Sequence, residues 1–362
     1  MCIILHQNNR IMQEYKATGK KGLFDDQFNT ERLSAIGNPL EKIGNVIDFE
    51  AFRGTLESKL LNTEKKNNAG AKPFDVVMMF KIMILQRYYG LGDKQVEYQI
   101  IDRTSFKKFL GLESGDKVPD EKTVWLFREK LTKTGAIELL FNQFINFLEN
   151  NNLLFNEGKL IDASFTIAPR QRNTRQENEK IKKGEGDDLW KDQPNKKKHK
   201  DIDARWTKKN GEKQYGYKNH AKVDSKSKFV KKYLATSASV HDSQALDKLL
   251  DNNDKGQPLY ADSAYTGEKQ KKVIRKYRLK NQVNEKGYRG KPLTEKQKAK
   301  NKIKSKTRAR VEHVFGFMEQ SMNGLVLKSI GIVRATGIIG LINLTYNLFR
   351  FEQVKRLNLF KA

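Results

Sequence analysis

Apolar residues run almost all the way round a helix written over 74–89, FDVVMMFKIMILQRYY, the pattern of a helix inside a bundle. Its Met and aromatic side chains are core packing. Pro73 opens the segment and Gly90-Leu91-Gly92-Asp93 closes it, with Asp93 placed to cap a second helix through 101. Pro119-Asp120 signals a third start, followed by Val124, Phe127 and Leu131 on one face, and 136–148 repeats the helical period. Residues 1–61 show no strong period, and 62–72, NTEKKNNAGAK, has the composition of a linker. Short helices with tight turns suit a DNA reader, although most small bundles bind no DNA. Asn150-Asn151-Asn152 marks the boundary, giving an N-terminal helical domain over 1–152.

Beyond it the period changes from helical to alternating. Residues 158–167, GKLIDASFTI, predict a strand with Ile161, Ala163, Phe165 and Ile167 on one face and Asp162 and Ser164 on the other. A carboxylate within a buried strand is costly unless something neutralises it, and a divalent cation does so. A hydrogen-bonded Asp at a sheet edge would account for this strand alone. A second strand, 258–265, PLYADSAY, sets Asp262 at its end, so two neighbouring strands could bring both carboxylates to one metal. Residues 216–224 and 229–240 alternate as an antiparallel pair joined through Ser225-Lys226-Ser227. Next, 241–243 opens a helix with Asp242 or Ser243 as its cap. His241 has no partner at zinc-ligand spacing.

Two further segments close the pattern. In 307–320, TRARVEHVFGFMEQ, Val311, Val314, Phe315 and Met318 form a core stripe while Arg308, Glu312 and Gly316, each one turn apart, share a side. A glycine there costs about 1 kcal/mol relative to Ala and leaves room for a ligand or DNA backbone. Taken alone, Arg308 and Glu312 are equally an exposed helical pair. Residues 334–351 are apolar apart from Asn343 and Asn347; they read as too short and too polar to span a membrane and as a helix packed on the sheet.

Charge then alters the picture. The chain of 362 residues carries 70 Lys or Arg against 43 Asp or Glu, a net +27, which points to a polyanion and to nucleic acid first. No single basic amphipathic helix supports a membrane surface instead. The segment 268–310 holds eighteen Lys or Arg against three Glu, a balance of +15. A solvated face would mix both signs, so this segment favours phosphate. The stretch 169–214 is highly charged and nearly free of aliphatic residues, predicting a solvent-exposed insertion with little tendency to order without a ligand. Its run KKKHK, 196–200, suits phosphate contact or a solvated loop. The single cysteine, Cys2, excludes an internal disulfide framework. Residues 1–6 are too short for a signal-peptide core, so a cytoplasmic protein is expected.

The order of strand with Asp, hairpin, helix, strand with Asp, basic segment and helix with Glu resembles the RNase H-like core of DDE transposases. More narrowly, the chain is similar to transposases of bacterial insertion sequences whose last carboxylate sits in a Tyr-x2-Arg-x3-Glu-x6-Lys signature. The resemblance covers nearly the whole length. MFKIMILQRYYGLGDKQVEYQIIDRTSFKKFLGL and VPDEKTVWLFREKL match the N-terminal helical part. IDASF, DARW (203–206), GYKNH (216–220), VHDSQ (240–244), ADSAY and RVEHVFG match the catalytic part. Two positions depart: Ser305 stands where Tyr is expected and Glu319 where Lys is expected. Those residues help hold DNA phosphates in the family.

The resemblance implies an α/β fold, an RNase H-like catalytic core with a mixed sheet flanked by helices over 153–355, preceded by the all-α domain. It implies Asp162, Asp262 and Glu312 as catalytic and metal-binding residues, with Mg²⁺ or Mn²⁺, two ions, as cofactor. Two metals can serve the attacking and leaving oxygens of an in-line phosphodiester displacement, and Mg²⁺ prefers hard oxygen ligands. Arg308 matches the signature Arg; with Arg310, Lys300, Lys302, Lys304 and Lys306 it is the expected DNA-contacting set. Expected partners are double-stranded DNA, as terminal repeats and target, and further copies of the chain on DNA. The expected place is the bacterial cytoplasm, with the nucleoid. The implied activity is cleavage at element ends followed by strand transfer. The alternatives are an RNase H-like nuclease that does not join ends, and a non-catalytic DNA-binding regulator derived from a transposase.

Overall fold

The computed structural model describes residues 22, 24–61, 72–209 and 211–360. Cys2 and most of the linker-like stretch 62–72 lie outside them. Among the described residues the N-terminal part is wholly helical: Asp25–Ile36, Pro39–Val46, Arg53–Leu60, Val76–Tyr88, Asp93–Asp102, Thr104–Leu110, Glu121–Lys133 and Ala136–Asn150. Asp75 caps its helix by accepting from the Val77 and Met78 N–H groups and Asp120 by accepting from the Thr123 N–H, whereas Asp93, expected as a cap, is the first residue of a helix capped at Gly92, whose N–H donates to Gln95. Val76–Tyr88 is buried on nearly all sides, as its pattern requires. The three helices before residue 61 were not legible from period. Leu40, Ile43, Phe49, Phe52 and Leu56 are nonetheless buried, spread over several short elements that each contribute one or two core residues.

The second part is a mixed sheet: β1 (Lys159–Ile167), β2 (Arg205–Lys209), β3 (Glu212–Asp224), β4 (Val230–Ser237), β5 (Pro258–Tyr260) and β6 (Lys280–Asn281). The long β3 pairs antiparallel with β1, β2 and β4, while β5 joins β1 in parallel and β6 joins β5 in parallel. With helices packed on it, this is an RNase H-like core. The strand predicted over 258–265 stops at Tyr260, because Asp262 turns the chain by capping a short 3₁₀ turn, Ser263–Tyr265. The cap predicted at Asp242 or Ser243 is instead His241, whose Nδ1 accepts from the Ser243 N–H. In β1 the predicted faces are modified at the far end: Ser164 and Thr166 are buried, whereas Ile167 is 42% exposed. Both faces of this strand are covered near its start, so alternation marks its faces without marking which one is dry.

One hydrophobic cluster runs continuously from Leu40 to Val354 and includes side chains of the N-terminal helices and of the sheet. Its axis is the helix Ile332–Arg356, which packs on β4, on Ala136–Asn150 and on Val76–Tyr88, with Phe349 stacked on Tyr88 at 3.8 Å. At 25 residues this helix is long and apolar enough to cross a membrane, contrary to the shorter segment expected, but 78% of its most apolar window is buried inside the fold. The two asparagines are ties between layers. Asn347 accepts from the Val230 N–H and donates to the Val230 carbonyl, both at 2.9 Å, and Asn343 exchanges hydrogen bonds with Asn219 at 3.1 Å. Asn347→Leu removes both of these partners from the buried Val230 groups. A loss of about 2 kcal/mol is expected, read as a lower urea midpoint with an unchanged m-value.

The charged insertion is ordered, against expectation. Helices Arg175–Lys183 and Pro194–Lys198 enclose a small core of Ile181, Leu189, Trp190 and Ile202. Thr174 and Glu177 form a capping box, and the Thr174 N–H, then Lys196 Nζ and Trp190 Nε1, donate to the Glu177 carboxylate and lower its pKa to about 2. Within KKKHK, Lys197 donates to the Asp187 carbonyl and Lys200 to Arg172 and Asn173, so this run is largely occupied within the lobe. Few apolar residues suffice here because polar ties close the structure. Asp201, 2% exposed, accepts from Tyr217 and from the Gly331 N–H, and Asp203 accepts from the Ile332 N–H, so DARW and its neighbour anchor the start of the long helix.

Candidate active site

Three elements meet at one cavity of about 500 Å³. β1 brings Asp162, the turn after β5 brings Asp262, and the helix Arg310–Gly316 brings Glu312; all three line the cavity although 100 and 50 residues separate them along the chain. Arg308, at the end of the helix Glu295–Arg308, lines it too. Asp162 Oδ1 accepts from the Ala163 N–H at 2.8 Å, and Asp262 Oδ1 from the Ala264 N–H at 2.9 Å, so local backbone helps fix both carboxylates. The Arg308 guanidinium lies between two of the acids, Nη1 at 3.4 Å from Asp162 Oδ2 and Nη2 at 3.0 Å from Glu312 Oε1.

Gly316 lines the same cavity, and a Cβ added there would meet nothing within 4 Å. The helix runs on from it into a π-turn, Phe317–Ser321, a local irregularity frequent at functional sites. That turn carries Glu319 into the cavity lining, so the departure from Lys places a fourth carboxylate beside the other three. The sequence departure marks Glu319 without placing it at the site, and nothing in the sequence pattern marks Gln214, another lining residue. Ser305, in place of Tyr, accepts from Asn284 Nδ2 at 2.8 Å, while the Asn284 N–H donates to the Ala261 carbonyl. It thereby ties the basic helix to the turn that carries Asp262.

The expected DNA-contacting residues divide in two. Lys300, Lys302 and Lys306 are exposed on the helix Glu295–Arg308. Lys304 points inward, donating to the Val283 carbonyl at 3.0 Å and lying 3.8 Å from Glu285. Arg310 donates to the Ser225 carbonyl at 2.9 Å. Spacing of two residues spreads lysines round a helix, but Lys298, Lys302 and Lys306 are one turn apart and form an exposed row. Lys298 was absent from the expected set.

The donors around the cavity are carboxylate oxygens, the hard ligands that Mg²⁺ and Mn²⁺ take. By chemistry the set fits a divalent cation. Among the described residues no three His, Cys, Asp or Glu side chains are gathered closely enough to hold one as they stand, and Arg308 occupies the space between two of them.

The fold is an RNase H-like core, and one cavity is lined by acids from a strand, from the turn after another strand and from a helix. The family model "Transposase DDE domain" matches residues 156–348 and the model "Transposase domain (DUF772)" matches residues 28–130. The chain belongs to the DDE transposase family. It is a DNA transposase, an enzyme whose partner is DNA and whose chemistry depends on divalent metal. Among solved structures, the chain is similar to a piggyBac transposase in a synaptic complex with hairpin DNA, at 11% identity and a TM-score of 0.42, covering 91% of this chain and 78% of that one.

Proposed function

We propose that Asp162, Asp262 and Glu312 are the catalytic carboxylates of this transposase, acting in cleavage at the ends of an insertion sequence and in joining the freed 3′-hydroxyl to target DNA. The observation that carries this reading is their common cavity, reached from three distant parts of the chain. Asp162 and Asp262 would hold one Mg²⁺ and Glu312 a second. The ions, when bound, supply Lewis-acid stabilisation of charge at the reacting phosphate. The chain's own part is to present the acids from a strand, a turn and a helix, to set Arg308 beside them, and to leave Gly316 open to an approaching strand. Arg308 and the exposed lysines of Glu295–Arg308 engage phosphate, as does Arg310 on exchange of its carbonyl partner. The branch with the Tyr-Arg-Glu-Lys signature is retained on Arg308 and Glu312, with Ser305 and Glu319 as this chain's own variants.

We also propose a functional division near residue 152, with the helical part over 1–152 reading the terminal repeats and 153–355 performing the chemistry; the two family matches fall on either side of it. The hydrophobic cluster that spans side chains of both parts supports their moving together. Assembly as a homo-oligomer on DNA would bring two ends into one complex. A nuclease without joining, or a regulator without catalysis, is not favoured by the family matches.

The experiment is incubation with DNA carrying the element's own ends and Mg²⁺, scoring nicks and joined products. Joined products support transposition, cleavage alone supports the nuclease, and neither supports the regulator. Gly316→Leu probes the approach path. Leu is the better helix former and its Cβ meets nothing within 4 Å, so folding should persist while binding of end DNA weakens several-fold. Unchanged affinity in a gel-shift assay would place the DNA elsewhere.

A further inference from the structure

Arg308 is held differently from Arg334, an arginine paired with a single acid. Arg334 grips Glu129 with two parallel bonds, Nε at 2.7 Å and Nη2 at 2.9 Å. Arg308 instead makes one contact to each of two acids, the Asp162 one long at 3.4 Å, and its Nε is buried without an acceptor. A guanidinium built in for stability normally satisfies its fork on one carboxylate. This one is spread between two carboxylates that belong to different elements, inside a cavity that also holds Asp262 and Glu319. Four acids there repel one another unless a cation stands among them.

We propose that Arg308 is a placeholder cation for the metal centre. It holds Asp162 and Glu312 while no divalent ion is bound, gives up those oxygens when the ion arrives, and is then released to DNA phosphate. The inference rests on the carboxylate assignment above. A guanidinium and a divalent ion cannot share the same oxygens, since like charges a few ångströms apart repel strongly outside bulk water. Metal loading and phosphate binding would thus be linked through one side chain, whose stem sits on the basic helix that ends at the site.

The test is calorimetric titration of the full chain with Mn²⁺ and with Mg²⁺, without DNA. Arg308→Gln should bind the ion tighter by roughly ten-fold. Arg308→Lys, which keeps the charge but loses the fork, should tighten less and serves if the Gln variant does not fold. Arg310→Gln removes the same charge two residues away, from a guanidinium bonded to a carbonyl, and should change metal affinity little. In wild type, the Arg308 side-chain N–H resonance should shift during the titration with the same midpoint. An unchanged affinity in Arg308→Gln, equal tightening in Arg310→Gln, or an unmoved Arg308 resonance would each overturn the placeholder role. If Asp262→Asn weakens metal binding while Arg308→Gln does not alter it, the metal centre stands and only this inference fails. Absence of saturable metal binding in wild type overturns both.

Discussion

Asp262→Asn should reduce cleavage of end DNA by at least about three orders of magnitude while DNA binding persists. The substitution keeps size and the hydrogen-bond acceptor that caps Ser263–Tyr265, so the turn should hold its shape. What it removes is one negative charge from the cavity shared with Asp162 and Glu312. Glu312→Gln should behave in the same way, and binding to end DNA should stay level or tighten slightly, because a charge repelling phosphate has gone. An exposed Arg308–Glu312 pair with no catalytic role predicts otherwise. Glu312 has 61% of its side chain exposed, and such a pair is worth only about 0.3–0.5 kcal/mol, so stability would dip and cleavage would continue. Cleavage and gel-shift assays run side by side on both variants decide between them; near-normal cleavage by Glu312→Gln would remove it from the catalytic set.

These acids could be read from the chain because burying or grouping carboxylates is costly, so their presence at a strand centre, a strand end and beside a mid-helix glycine needs a reason. What the sequence could not carry is how neighbours use them. Ser305 and Glu319 were visible as departures, but their uses, a bond to Asn284 and a place in the cavity, depend on a loop after β6 and on a π-turn that periodicity does not encode. Asn343 and Asn347 interrupt an apolar run in sequence and bind the long helix to the sheet in space. The insertion read as unordered because hydropathy counts apolar residues, while its order comes from Glu177, Asp201 and lysines facing inward. The capping pattern Thr174-x-x-Glu177 was legible and would have argued for a helix there. The N-terminal helices before residue 61 escaped notice because each buries so little on its own.

Replacing Lys300, Lys302 and Lys306 with Gln should flatten the salt dependence of duplex binding, lowering the magnitude of the slope of log K against log salt by about 2.7. The reasoning is that each lysine neutralising a phosphate releases condensed counterions and contributes about 0.9 to the slope. These three are exposed on Glu295–Arg308, the helix that delivers Arg308 to the cavity, so duplex lying along it would point its backbone at Asp162 and Asp262. Lys304 supplies the internal comparison. Its amino group is taken up by the Val283 carbonyl with Glu285 nearby, so Lys304→Gln should leave the slope nearly unchanged and cost stability instead. Lys298 extends the exposed row one turn further, although it is paired with Glu295 at 2.8 Å. Adding Lys298→Gln should therefore flatten the slope by less than a free lysine would. The measurement is fluorescence anisotropy of a labelled duplex across a salt series without divalent metal, which separates phosphate contact from chemistry at the carboxylates. A triple variant with the wild-type slope would show that these lysines face solvent alone, and the +15 of 268–310 would then have to meet DNA through its earlier half, between Glu268 and Lys291.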